Sequence, residues 1–532
     1  MLMLRNLSTL LICICFSPLL AAADSVRISS IVVDAKTVSV LLDGPRSEKI
    51  KLLELSPFAA GPTPEQGRLV WQGTAGSQGV KFDRFDRGRD RLYSQWLLVH
   101  SETNHPLGAA RWADEISKLS PRRDHIPKPG SIKGVQSILD VKDALNLGVK
   151  QVAHNVLVSQ IIDLSGNPPR ETWDVDGHKI PINIDHIRHL DATFGELTTA
   201  GVDNTIILLN SVPSEPDPKN PLIHPLTNLK EAPNHLGAFN LTNEAGYLRY
   251  RAAVEYMAHR YSLPKAPHGR VSGYIIGNEL QAHWWWYNIG QADPALVIED
   301  YARALRVSHY AVRKSHPELK VFISMDHHWT ARMSDEKQKF IPGKEFLDRM
   351  NELIRKQGNF EWHVAFHPYP EDLFNPRTWN DKQPTFAFNT PKITFKNLEV
   401  LPAYLKQPDF LFENRPRRII LSEQGFHTPK EEDGGEKVQA AGYAYAYYRT
   451  SHIEGIDAFI LHRHVDHRDE GGLRLGIRSR KAGTVTDPGD KKFLYDVFKA
   501  ADTPQWEQAF EFAKPIIGIK QWDELLPKPI SH

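Results

Sequence analysis

The chain has 532 residues, 24% of them charged and 41% hydrophobic, with 65 Lys and Arg against 64 Asp and Glu. That balance belongs to a globular protein and provides no bulk electrostatic pull towards nucleic acid or an anionic membrane. The length exceeds one ordinary domain and suits a barrel joined to a smaller module.

Residues 1–23 read as a secretory signal: Arg5 precedes an apolar run over 10–20, followed by Ala21, Ala22 and Ala23, with cleavage expected after Ala23. The expected location is periplasmic or secreted, with no membrane attachment once the signal is cut. Both cysteines, Cys13 and Cys15, fall inside this segment, so the mature chain is expected to have no disulfide, cysteine nucleophile or thiolate metal site.

Residues 24–125 show short β-rich runs, VRISSIVV, TVSVLL, KIKLLEL, GRLVWQG and YSQWLLVHS, separated by turn residues. Their alternation predicts a small antiparallel sandwich. The proline- and charge-rich PRRDHIPKPG, residues 121–130, reads as the way out of it.

From 126 to 510 the rhythm becomes strand, helix, strand, which predicts a parallel α/β construction. Strands are expected over 133–137, 151–158, 204–209, 271–276, 320–325, 361–366, 418–422 and 458–462, with the clearest helices over 186–200, 244–261, 294–315, 344–356 and 436–453. Eight strands make a (β/α)8 TIM barrel, closed by a further helix over 490–500. Residues 511–532 remain as a C-terminal tail without assignment.

Chemistry in such barrels gathers where the strands end. In YIIGNELQAHWWWYNIG an apolar strand runs into Gly277, Asn278 and Glu279, and in RRIILSEQGFHTP another runs into Ser422, Glu423 and Gln424. A buried strand that stops on a carboxylate needs a reason, because an unpaired buried charge is costly. Glu279 ends the fourth strand and Glu423 the seventh, so closing the barrel brings them to one mouth. Glycosidic cleavage requires such a pair, one carboxyl protonated and the other ionised. Retention calls for a separation of about 5 to 5.5 Å, inversion for roughly 6.5 to 9.5 Å.

At Asn278-Glu279 and Glu423 the sequence resembles glycoside hydrolase clan A, whose barrels carry an Asn-Glu acid/base after the fourth strand and a nucleophilic Glu after the seventh. The resemblance implies that Glu279 is the acid/base, Glu423 the nucleophile, and Asn278 a hydrogen-bond partner of the sugar 2-hydroxyl. It also implies a β-linked poly- or oligosaccharide substrate and no cofactor. The whole chain is similar to a bacterial family of unknown function.

Other strand ends offer further substrate-binding candidates: His154 and Asn155 on the second strand, Asp326, His327, His328 and Trp329 on the fifth, and His367 and Tyr369 on the sixth. By the same resemblance Tyr369 is the preferred contact of the nucleophile, with His367 next. Among Trp284, Trp285, Trp286 and Tyr287, Trp284 is taken as the stacking candidate, since an indole face suits a pyranose.

After the eighth strand the sequence departs from clan A, placing His462, Arg463, His464, Asp466 and His467 where a Trp is usual, which suggests an altered subsite for a charged or substituted sugar. His462 and His464, on one strand face, could instead bind a metal with Asp326 or His327, giving a metal-dependent hydrolase. A third reading is a non-catalytic carbohydrate-binding protein on a glycosidase scaffold. HExxH, GxSxG and phosphate-loop signatures are missing from the sequence.

Overall fold

The computed structural model describes residues 26–45, 47–74 and 79–530, so the signal-like segment with Cys13 and Cys15 lies outside the described residues. Eight described strands build the N-terminal part: a two-stranded ribbon, Phe85–Asp86 with Arg89–Asp90, and two three-stranded antiparallel sheets. Arg27–Val33, Thr37–Asp43 and Val80–Asp83 form one, and Arg68–Thr74, Lys49–Leu55 and Gln95–His100 the other. Alternation decides which faces meet: Ile31, Val33, Val38 and Val40 of the first sheet and Ile50, Leu52 and Leu98 of the second are buried in the core.

Eight parallel strands then close into a barrel in chain order: Lys133–Gln136, Gln151–Leu157, Asp203–Leu209, Val271–Ile276, Lys320–Asp326, His363–His367, Ile419–Gln424 and Ile456–Leu461. The last pairs with the first, Phe459 opposite Lys133 and Leu461 opposite Val135. This is the expected TIM barrel with an N-terminal β module, and the expected strands coincide with the observed ones to within about two residues.

Side-chain parity sorts each strand. Ala153, Ile207, Ile275, Phe322, Ala365, Ile420 and Ile460 fill the barrel interior, whereas Val152, Val156, Ile206, Tyr274 and Ile276 face the helices. The helices begin where capping chemistry permits. Asn243 accepts from the Gly246 amide ahead of Glu244–Arg260, and Asp293 accepts from Ala295 ahead of Pro294–Ser315, with proline at the first helical position.

The N-terminal sheets brace this outer layer. Tyr93 donates its hydroxyl to Glu255 Oε1 at 2.6 Å, the Arg251 guanidinium lies 3.7 Å from the Tyr93 ring centroid, and Lys314 pairs with Glu255 at 2.8 Å. The end of the chain is packed as well. Trp522 meets Tyr448 at 5.1 Å, and Arg449 of the helix Gly435–Ser451 donates to the Leu525 carbonyl. Among the described residues, no helix is long and apolar enough to cross a membrane.

Candidate active site

The fourth strand ends at Ile276, and the chain turns sharply: Gly277 has φ 74° and Glu279 has φ 39°. A left-handed conformation is costly for a residue with a Cβ and persists where neighbours hold it. Here the Glu279 amide donates to Ser324 Oγ at 3.0 Å, and that hydroxyl donates to Asn278 Oδ1 at 3.3 Å. On the seventh strand the pairing with the eighth skips from Leu421 to Gln424, which releases Ser422 and Glu423 from the ladder. Gly425 then lets the chain pass the His462 carbonyl, with which a Cβ would collide. His462 is thereby brought beside Glu423.

The result is a cavity of about 550 Å³ lined by both glutamates and by Asn278, Asp326, His327 and Tyr369. A carboxylate oxygen of Glu279, one of Glu423 and a ring nitrogen of His367 all lie within 4.8 Å of one another. His367 Nδ1 is 2.8 Å from Glu279 Oε1, and its Nε2 is 3.0 Å from Ser422 Oγ. The Tyr369 hydroxyl donates to Glu423 Oε1 at 3.1 Å.

The surroundings drive the two carboxyls apart. Burial pushes Glu279 above the usual carboxylate range; the charges of Asp326 and Glu423 add to this, and His367 offsets it only in part. Burial acts the same way on Glu423, but His462, His367 and the Tyr369 hydroxyl outweigh it, and that carboxyl lies below its ordinary value. Burial alone would lower His367, yet the hydrogen bond to Glu279 and the charge of Glu423 raise it. One carboxyl is thus favoured as an acid and the other as an anion.

Several expected substrate-binding residues do not reach this cavity. His154 stands on the outer strand face with Val152 and Val156, edge-on to Phe194 and 3.1 Å from Asn204 Oδ1, while its neighbour Asn155 faces inward and lines the cavity. Trp284 packs on Ala282 and Phe340, and it is Trp285 and Trp286 that line the opening. Trp329 is fully buried, donating to the Phe388 carbonyl, and His328 turns back onto Asp326 at 3.1 Å. His367 lies beneath the cavity as a partner of Glu279, not of the nucleophile candidate.

The proposed pairing of His462 with His464 on a metal is contradicted. The strand ends at Leu461, so alternation no longer holds beyond it. His462 Nδ1 meets Gln136 Oε1 at 2.8 Å and its Nε2 meets Glu470 Oε1 at 3.0 Å, whereas His464 is buried against Asp143 at 3.0 Å. Arg463 is ion-paired with the same Glu470, whose carboxyl is lowered to about 2: burial opposes this, but His462 and Arg463 prevail. The place where clan A barrels usually carry a Trp is thus occupied by this ion pair and His462.

Asp326, His327 and His328 do cluster, with one potential ligand atom from each within 4.8 Å of the others. The Asp326 carboxylate, however, already accepts from Gln281 Nε2 at 2.7 Å and from the His328 amide at 2.7 Å. Burial lowers His327 to about 3, so its imidazole is neutral.

Sequence reasoning missed Gln136, Glu470 and an aliphatic set that lines the cavity, including Leu236, Met333, Leu373 and Leu473. Gln136 ends the first strand and was open to the same argument as the glutamates. Glu470 and the aliphatics sit on long loops and gave no signal.

Known structures share general resemblance only. A family 39 glycoside hydrolase from Bacteroides cellulosilyticus WH2 aligns at a TM-score of 0.43 and 12% identity, over 90% of this chain and 82% of the other. A glucosidase from Croceicoccus marinus aligns at 0.43 and 13%, over 70% and 68%, and a family 1 β-glucosidase from Thermotoga maritima at 0.41 and 12%, over 68% and 84%. No curated protein matches significantly. Residues 125–525, spanning the whole barrel, match the family described as "Family of unknown function (DUF5722)", and the chain belongs to that family.

Proposed function

We propose that the protein is a retaining glycoside hydrolase acting on an O-glycosidic bond, with Glu423 as nucleophile and Glu279 as acid/base. The observation that carries this reading is the facing pair itself: carboxylate oxygens within 4.8 Å across one cavity, with one carboxyl raised and the other lowered. Oxygens that close favour the short-separation class, in which no water fits between the second carboxylate and the sugar.

In the reaction proposed, Glu423 attacks the anomeric carbon as the protonated Glu279 donates to the departing oxygen. Forming the ester to Glu423 removes the negative charge that helps keep Glu279 protonated, so Glu279 is left able to take a proton from incoming water. Tyr369 orients Glu423, His367 orients Glu279, and Asn278 faces the cavity where a sugar hydroxyl would lie. The signal-like N-terminus supports export to the periplasm or medium, and the polar strand ends support a carbohydrate partner.

The test is turnover of a panel of aryl β-glycosides and oligosaccharides by the native chain and by Glu279→Ala and Glu423→Ala. Each substitution is expected to lower kcat by about three orders of magnitude or more, and azide should restore Glu423→Ala as a glycosyl azide of inverted configuration. Unchanged turnover in either variant would remove the assignment.

A further inference from the structure

The cavity holding Glu279 and Glu423 is divided by chemistry. Deep in it lie buried polar groups, Gln136, Asn278, Asp326 and His327 among them, which are suited to the hydroxyls of one sugar ring. Around its opening lie Trp285, Trp286, Met333, Leu373 and Leu473, while Leu236 packs on the barrel-interior cluster. The collar residues come from the loops after the fourth, fifth, sixth and eighth strands, so no single local motif accounts for them. Trp285, Met333 and Leu373 are 38%, 40% and 38% exposed, values that leave large apolar surface facing water.

Single exposed apolar residues are ordinary on a protein surface, but convergence of several loops on one opening marks a binding surface. Two tryptophans alone would suit a second sugar. Leucine and methionine offer neither a flat face nor a hydrogen bond, and a second sugar pressed against them would lose water from its hydroxyls without replacement. A sugar on the polar floor, with its glycosidic oxygen at Glu279, must point its leaving group outward through this collar.

We propose that the substrate is a glycoside of an apolar alcohol, whose alkyl or fused-ring leaving group is held by the collar around Trp285, Met333 and Leu373. This rests on the glycosidase reading and names its substrate class. In the first step the Glu279 proton passes to the glycosidic oxygen, the bond from C1 to that oxygen breaks, and the bond from C1 to Glu423 forms. The apolar alcohol leaves through the collar. Water then displaces Glu423, returning its proton to Glu279 and releasing the free sugar.

The experiment is calorimetric titration of Glu279→Gln with methyl, butyl and octyl β-D-glucopyranoside below micellar concentrations, and with cellobiose for comparison. Each methylene fully buried in the collar tightens binding about fourfold, so affinity is expected to rise about tenfold or more from methyl to butyl and again to octyl. The same titration on Glu279→Gln carrying Met333→Asp and Leu373→Asp, both at exposed positions, should flatten that dependence. Affinity independent of chain length, no binding of the octyl glycoside, or cellobiose binding as tightly as the octyl glycoside would each overturn the proposal. Because the titrated variant need not turn over, these results are separate from failure of the catalytic assignment, which the alanine variants report.

Discussion

His367 Nδ1 sits 2.8 Å from Glu279 Oε1, while the other face of the same ring, Nε2, lies 3.0 Å from Ser422 beside the second carboxylate. One buried imidazole therefore links the strand ends carrying both glutamates. An ionised Glu279 accepts from Nδ1 and a protonated one donates to it, so the proton between the two groups belongs to them jointly. His367→Gln removes a positive neighbour that favours ionised Glu279. The alkaline limb of kcat/KM, set by loss of the Glu279 proton, should move to higher pH, while kcat falls by about one to two orders of magnitude. A pH profile on an aryl glycoside checks both.

Tyr369→Phe tests the other carboxylate. Its hydroxyl is one of the groups that outweigh burial and keep Glu423 below the ordinary carboxylate range. Without it Glu423 should bind a proton more readily, shifting the acidic limb of the profile upward and lowering kcat by about tenfold. An acidic limb that stays in place would remove Tyr369 from this role.

The barrel and its two glutamates were legible in the sequence because a buried parallel strand is a near-continuous apolar run, and a charge at its end is conspicuous. The rest of the site depends on parity and loops. His154 and Asn155 are adjacent, yet only Asn155 faces the cavity; the strand starts at 151 as expected, but its bounds do not say which of two alternating faces points inward. Trp284, Trp285 and Trp286 form a short helical turn in which the first packs inward and the next two reach the opening. Glu470 meets His462 and Arg463 because the segment after the eighth strand folds back, a tertiary event without a local signature.

Glu255 governs stability rather than chemistry. It joins Arg251, Lys314 and Tyr93 between the N-terminal sheets and the barrel helices, and although burial opposes ionisation, Arg251 and Lys314 hold its carboxyl well below the ordinary range. A folded-state value below the unfolded one contributes stability that is present above the unfolded value and lost as pH falls through the folded one. Glu255→Gln should cost roughly 3 kcal/mol at neutral pH, with the gap to the native chain narrowing below about pH 4. Urea unfolding at several pH values measures it.

The Asp326, His327 and His328 cluster yields a separate expectation. With the Asp326 carboxylate occupied by Gln281 and His328, chelator treatment should leave kcat/KM unchanged. Loss of activity in EDTA, restored by a divalent cation, would instead favour a metal-dependent reaction at this mouth.

The most direct measurement follows the anomeric configuration of the first-formed product by proton NMR during hydrolysis of a β-glycoside. Double displacement through Glu423 predicts that the β-anomer appears first and then mutarotates. Initial appearance of the α-anomer would contradict the account, because it would require a water where Glu423 is proposed to attack.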